Sequence, residues 1–256
     1  MIDLQNWGKS PMYYPQSYLE SVAGGRLAGR WAAKVGCTKA AGFSLAVDES
    51  RSWAKQFEEG LKEGGIAGYT YSADISFAET DYTPYVATAK SKGVDCLTFG
   101  GQTTNFIRLR KAMAQQNYKA QLVLPSSAYD PQYTQASAPE GDYSMIQYDL
   151  LENKDTNPAI GEFVEQAAKF EPGMKQSGYA LLAWTAAKIA AQALGQMGNV
   201  ITRQNLVDTL NGFTDFDTGV TPKISYRPGP HPGATCGNMA QYKDGRWIMA
   251  APNLCV

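Results

Sequence analysis

Apolar positions along the first half of the chain alternate between two periods. Gly42–Val47 is a short continuous apolar run of the kind found in buried strands. Asp48-Glu49-Ser50 follows, a cluster suited to opening a helix. Trp53, Phe57 and Leu61 then recur every fourth residue and mark one helical face, which Gly64-Gly65 terminates. Tyr69–Ser72 reads as a second strand. Asp81 can cap a helix carrying Tyr82, Val86 and Ala89, ended by Gly93. Val94–Phe99 is a third strand, broken by Gly100-Gly101. Phe106, Leu109 and Met113 mark another helix, and Gln121–Leu124 is a fourth strand closed by Pro125. Strand, helix, strand at this spacing predicts right-handed βαβ units and a parallel α/β sheet.

The pattern changes after residue 150. Asn157-Pro158 is a cap followed by proline at the first helical position, ahead of an apolar face of Ile160, Phe163, Val164 and Ala167. Tyr179–Leu194 predicts a long alanine-rich helix buried on several sides. Thr202 opens another, with Leu206, Val207 and Leu210. These helices have few strands of their own, so they are expected to pack on a sheet not fully present in this sequence. Phe213–Gly233 is rich in glycine and proline and predicts irregular structure. Met239–Tyr242 and Arg246–Met249, joined by Asp244-Gly245, predict a hairpin with a type I′ turn.

A length of 256 residues bounds the chain at one or two domains. Net charge is -1, and no cluster of five basic residues occurs, so nothing points to a nucleic-acid partner. No apolar run approaches the roughly 20 residues that span a bilayer. The first residues lack a basic and then apolar leader pattern; the protein is cytosolic, or an upstream part lies outside this sequence. None of the four cysteines sits in a C-x-x-C. Their even number fits two disulfides, and equally fits buried thiols.

Catalytic chemistry is thinly represented. The single histidine, His231, lies in a Pro/Gly loop and is expected to be a solvated loop residue. Gly24–Gly29 contains three glycines but does not follow a strand, so it is read as small residues for close helix packing rather than a phosphate loop. Glu58/Glu59 fall mid-helix, on a solvated face. Asp48/Glu49 fall at the carboxyl end of a strand, where open α/β sheets bind ligands, although helix capping also explains them. Asp48-Glu49-Ser50, Gly101-Gln102-Thr103-Thr104 and Ser126-Ser127-Ala128-Tyr129 each follow a predicted parallel strand. Their hydroxyl, amide and carboxyl groups can hydrogen-bond a small polar ligand.

One set of motifs is more specific. Glu79–Val86 (ETDYTPYV), Lys90 and Gly93-Val94-Asp95 occur in order, followed by Phe99-Gly100-Gly101 and Phe106–Ala112 (FIRLRKA). Tyr179–Trp184, Phe216-Asp217-Thr218-Gly219 and the hairpin Gln241–Trp247 complete the series. Together these resemble the Leu/Ile/Val-type, or type 1, periplasmic binding proteins of branched-chain amino-acid ABC transporters.

That resemblance implies two α/β lobes flanking a ligand cleft. Residues 16–148 and 236–250 would form lobe 2, with a flavodoxin-like parallel sheet. Residues 1–15 and 152–232 would be the remainder of an incomplete lobe 1, its early βα units and the signal peptide having no counterpart here. The chain alone would then bind weakly. The implied function is the solute-binding component of an ABC importer, capturing a small polar or amino-acid-like molecule by hinge closure and docking on a membrane permease. It would be periplasmic or extracellular, with a lipid anchor as one option, and would have no enzymatic activity, cofactor or metal. The alternative is a ligand-sensing regulatory module on the same fold. The implied ligand-binding residues are Asp48, Ser50, Gln102, Thr103, Ser126, Tyr129 and Tyr179. Two departures bear on the ligand: Ser50-Arg51-Ser52-Trp53 replaces the family's Tyr-Gly, and Ser126 stands where an acidic residue holds an ammonium group. A simple branched-chain amino acid is therefore not expected unless Asp48 or Glu49 substitutes. The lobe 2 strand order would place Cys37 beside Cys96 and the hairpin would place Cys236 beside Cys255, implying two disulfides.

Overall fold

The computed structural model describes residues 11–16, 20–137, 139–231, 233 and 235–255. Residues 1–10 and 17–19 lie outside the described residues. The chain divides into two compact units: Glu20–Ile146 with Asn238–Val256, and Met1–Leu19 with Gln147–Gly237.

The larger unit is an α/β sheet in the order β2-β1-β3-β4-β5-β6-β7. Its strands are β1 Ala40–Leu45, β2 Tyr69–Ile75, β3 Cys96–Gly100, β4 Gln121–Leu124, β5 Tyr143–Ile146, β6 Cys236–Lys243 and β7 Arg246–Cys255. The first five are parallel, and β6 pairs antiparallel with β5. β1 and β3 are buried along their whole length, as continuous apolar runs covered by helices on both faces require. β2, at the edge, alternates between exposed and half-buried positions. The helices are α1 Gly25–Lys34, α2 Asp48–Glu63, α3 Thr83–Ser91, α4 Thr103–Gln115 and α5 Pro131–Ser137. Trp53, Phe57 and Leu61 are buried on α2, as their spacing predicts.

Gly24 precedes α1 and residues 25–29 open it, where the small ones serve packing. A Cβ on Gly29 would run into the backbone of Phe57 on α2, and one on Gly60 of α2 into the backbone of Arg26 on α1. The two helices therefore touch backbone to backbone. At the far edge, Asp244 and Gly245 have φ of 52° and 78°, the left-handed values of a type I′ turn. Cys37 and Cys96 form a disulfide with Cα atoms 5.6 Å apart. Cys236 and Cys255, which end the hairpin, are also oxidised, and no cysteine is free.

The smaller unit carries α6 Pro158–Phe170, α7 Gly178–Met197 and α8 Arg203–Asn211. Asn157, Ser177 and Thr202 cap them, each side-chain oxygen accepting from a first-turn N–H. α7 buries Gly178 at its start and then the stripe Leu181, Leu182, Thr185, Ile189, Ala193 and Met197. The expectation of burial on several sides is corrected, because alanine is tolerated in water and supplies helix propensity without needing a core. Ile189, Ala193, Leu210, Phe213, Ile224 and Tyr226 form the unit's core. His231 is buried rather than solvated, its ring 4.4 Å from that of Tyr14 and 5.6 Å from that of Tyr226. The rings of Tyr14 and Tyr226 cover it, so loop composition did not predict exposure here.

Candidate functional site

Three strand ends of the larger unit meet at their carboxyl edge. After β1 the chain turns sharply, Val47 N–H donating to the Leu45 carbonyl at 2.7 Å, and α2 begins. After β3 it turns at Gly100-Gly101 into α4, and Gln102 N–H donates to Asn105 Oδ1 at 2.9 Å. After β4 it passes Pro125 into the turn Ser126–Ala128.

Hydroxyl groups stitch these ends together. Ser50 Oγ accepts from Leu45 N–H at 2.6 Å and donates to the Gly100 carbonyl, joining β1 to β3 through α2. Thr103 Oγ1 donates to the Ser127 carbonyl at 2.7 Å, and Ser127 Oγ donates to the Gly101 carbonyl at 3.0 Å, joining β3 to β4. Beneath them Trp53 Nε1–H donates to Thr98 Oγ1 at 2.9 Å, and Thr98 donates on to the Val123 carbonyl at 2.6 Å.

A hollow of about 200 Å³ opens over these ends. Leu45, Val47, Trp53, Phe77 and Pro125 form its apolar wall. Glu49, Ser50, Gln102, Ser127 and the Gly100-Gly101 backbone supply its polar groups. None of these lining residues is a Lys, Arg or His. Arg51, the nearest basic residue in sequence, is engaged by Asp74 at 2.7 Å and Asp48 at 3.7 Å. Glu49 is half-buried, and desolvation raises its carboxyl above the ordinary carboxylate range. No hydrogen bond or ion pair reaches it from the described residues.

Of the seven residues expected at the site, Ser50 and Gln102 line the hollow. Asp48 turns to solvent, its side chain 92% exposed. Thr103 and Ser126 lie one position away from lining residues: Thr103 acts on the Ser127 carbonyl, and Ser126 is buried in the turn. Tyr129 packs on Trp247, with ring centroids 5.7 Å apart. Tyr179 belongs to the smaller unit, at the start of α7, and is 52% exposed. Asp48 and Thr103 are the first residues of α2 and α4, where neighbouring side chains leave the helix about 100° apart, so one faces the hollow and the next does not. Glu49 and Ser127 were legible as members of the strand-end clusters. Phe77 follows β2 in a turn and carried no sequence signal.

Among the described residues, the grouping of metal-ligating side chains is Cys37, Asp95 and Cys96. Its sulfurs are bonded to each other. Burial pushes the Asp95 carboxyl up, but hydrogen bonds from Thr38 and Lys39 outweigh it and hold the group below its ordinary range. This cluster fastens the start of β1 to the start of β3.

Residues 2–246 match the family described as periplasmic binding protein. No curated protein sequence is significantly similar to the chain. Among solved structures, a substrate-binding protein of an ABC transporter from Aeropyrum pernix has a TM-score of 0.81 at 16% identity, covering 96% of this chain and 67% of that one. A branched-chain amino-acid ABC transporter protein from Thermus thermophilus with bound valine has a TM-score of 0.76 at 15% identity, covering 90% of this chain and 65% of that one. A solute-binding protein from R. palustris in complex with benzoate has a TM-score of 0.74 at 19% identity, covering 96% and 68%. The chain thus spans about two thirds of the length of these structures, and they share its fold.

Proposed function

This chain belongs to the periplasmic binding protein family, and on that basis we propose that it captures a small polar or amino-acid-like solute and hands it to an ABC permease. The observation that carries this reading is the hollow at the carboxyl ends of β1, β3 and β4, where parallel α/β sheets bind ligands. Its apolar wall with a few convergent polar groups suits a molecule that is held and released. Fixed Ser50, Ser127 and Trp53 keep the wall preorganised. The protein works by binding, without chemical conversion of the solute. The oxidised cysteines support an extracytoplasmic setting over a cytosolic sensor on the same fold.

The test is a thermal-shift screen of the full chain against amino acids, amines, organic acids and small aromatic solutes. One class is expected to raise the melting temperature saturably, with mass spectrometry showing the solute unchanged. Gln102→Ala is expected to weaken that shift. If no solute shifts the transition, or if the bound solute is converted, the reading fails.

A further inference from the structure

The donor and acceptor census of the hollow is lopsided. The hydroxyl protons of Ser50 and Ser127 are both spent inward, on the Gly100 and Gly101 carbonyls. Toward the hollow these oxygens offer lone pairs. The backbone N–H of Gln102 is taken by Asn105 Oδ1, which leaves the neutral Gln102 side-chain amide as the donor the lining side chains offer. Glu49 adds a carboxylate, and no lining residue is cationic. The first turn of α2 does present N–H groups, but Asp48 and Glu49 already supply the negative charge that this helix end favours. A second anion would meet like charge there.

We propose that Glu49 makes this hollow selective for a ligand carrying a protonated amine beside an apolar body, against a carboxylate of the same shape. The proposal rests on the reading of the hollow as the ligand site. The amine would donate to Glu49 and to the lone pairs of Ser50 and Ser127. Its apolar part would lie against Trp53 and Phe77, which is 72% exposed beside the hollow. Aromatic faces attract cations as well as apolar groups. The half-buried carboxylate has lost part of its hydration, and a cation beside it restores what burial removed.

Three matched probes test this: phenethylamine, 2-phenylethanol and phenylacetate, titrated into the full chain by calorimetry up to millimolar concentration. Phenethylamine is expected to bind at least about tenfold more tightly than the alcohol, as a charge-assisted hydrogen bond implies, and more weakly as salt rises. Glu49→Gln should abolish that preference while keeping the melting temperature close to the parent's, because no described residue bonds to Glu49. Phe77→Ser, at an exposed position, should weaken phenethylamine and the alcohol together. If phenylacetate binds as tightly as phenethylamine and remains sensitive to Phe77→Ser, the amine selectivity is overturned and the site reading survives. If none of the probes binds, the inference is overturned. The site reading falls with it only if the wider solute screen is also blank.

Discussion

Gly60→Ala is expected to destabilise the protein even though alanine is the better helix former. In a free helix this change would gain about 1 kcal/mol. Here the added Cβ would lie 2.9 Å from the Arg30 nitrogen and 3.0 Å from the Arg26 carbonyl carbon, with the Arg26 oxygen closer still. All three are backbone atoms of α1, so no side chain can swing aside, and relief requires α1 and α2 to separate. Overpacking of a tight interface costs roughly 1–3 kcal/mol, and more where backbone is pushed. Because the clash is with backbone, the cost falls in the upper part of that range, about 2–3 kcal/mol, so after the propensity gain a net loss of about 1–2 kcal/mol remains, or about 2–8 °C in melting temperature for a chain of this size. Gly195→Ala in α7 is the internal control, since nothing lies within 4 Å of its Cβ. It should gain up to about 1 kcal/mol by the propensity term alone. Thermal denaturation followed by circular dichroism measures both. A Gly60→Ala protein melting at or above the parent would mean that α1 and α2 do not meet at this distance.

Asp142→Ala should be among the most damaging single changes, costing about 3–5 kcal/mol in urea denaturation. The fully buried carboxylate receives Arg110, Tyr133 Oη at 2.5 Å and Leu122 N–H at 3.3 Å, all left unsatisfied by its removal. A loss below about 1 kcal/mol would refute the network's role. For His231, burial lowers the imidazole below its ordinary 6.5, against a hydrogen bond to the Pro11 carbonyl and with help from Arg227. The unfolded chain then takes up the proton first, so stability should fall as pH drops below 6.5 and level off below the folded value. His231→Phe should flatten that part of the melting-temperature profile; an unchanged slope would refute the assignment.

Much of the larger unit was legible because its strands are short apolar runs bounded by glycine, proline or capping residues. Gln121–Leu124 lies where the sequence places it. β1 sits two residues earlier than Gly42–Val47, because Ala40 and Ala41 gain both neighbours in the sheet while Ala46 and Val47 are drawn into the turn to α2. The sequence pattern does not reveal β5 and α5, since strands of four and helices of seven residues carry too little periodicity. At the site, topology was legible and orientation was not. Parallel strand ends converge wherever the βαβ rule holds, but whether Asp48 or Glu49 faces the hollow depends on where α2 starts its first turn. The burial of His231 likewise depends on Tyr14 and Tyr226, far apart in sequence.

The larger unit is not built from one continuous stretch of chain. β6 returns to pair with β5 only after the whole of Gln147–Gly237 has been laid down elsewhere. During synthesis the ribosome therefore releases β5 long before its partner exists. Until then Tyr143–Ile146 exposes unpaired backbone groups along one side, an invitation to pair with the wrong chain. The nascent protein would be most vulnerable to aggregation in that interval, and a holding chaperone would act best there.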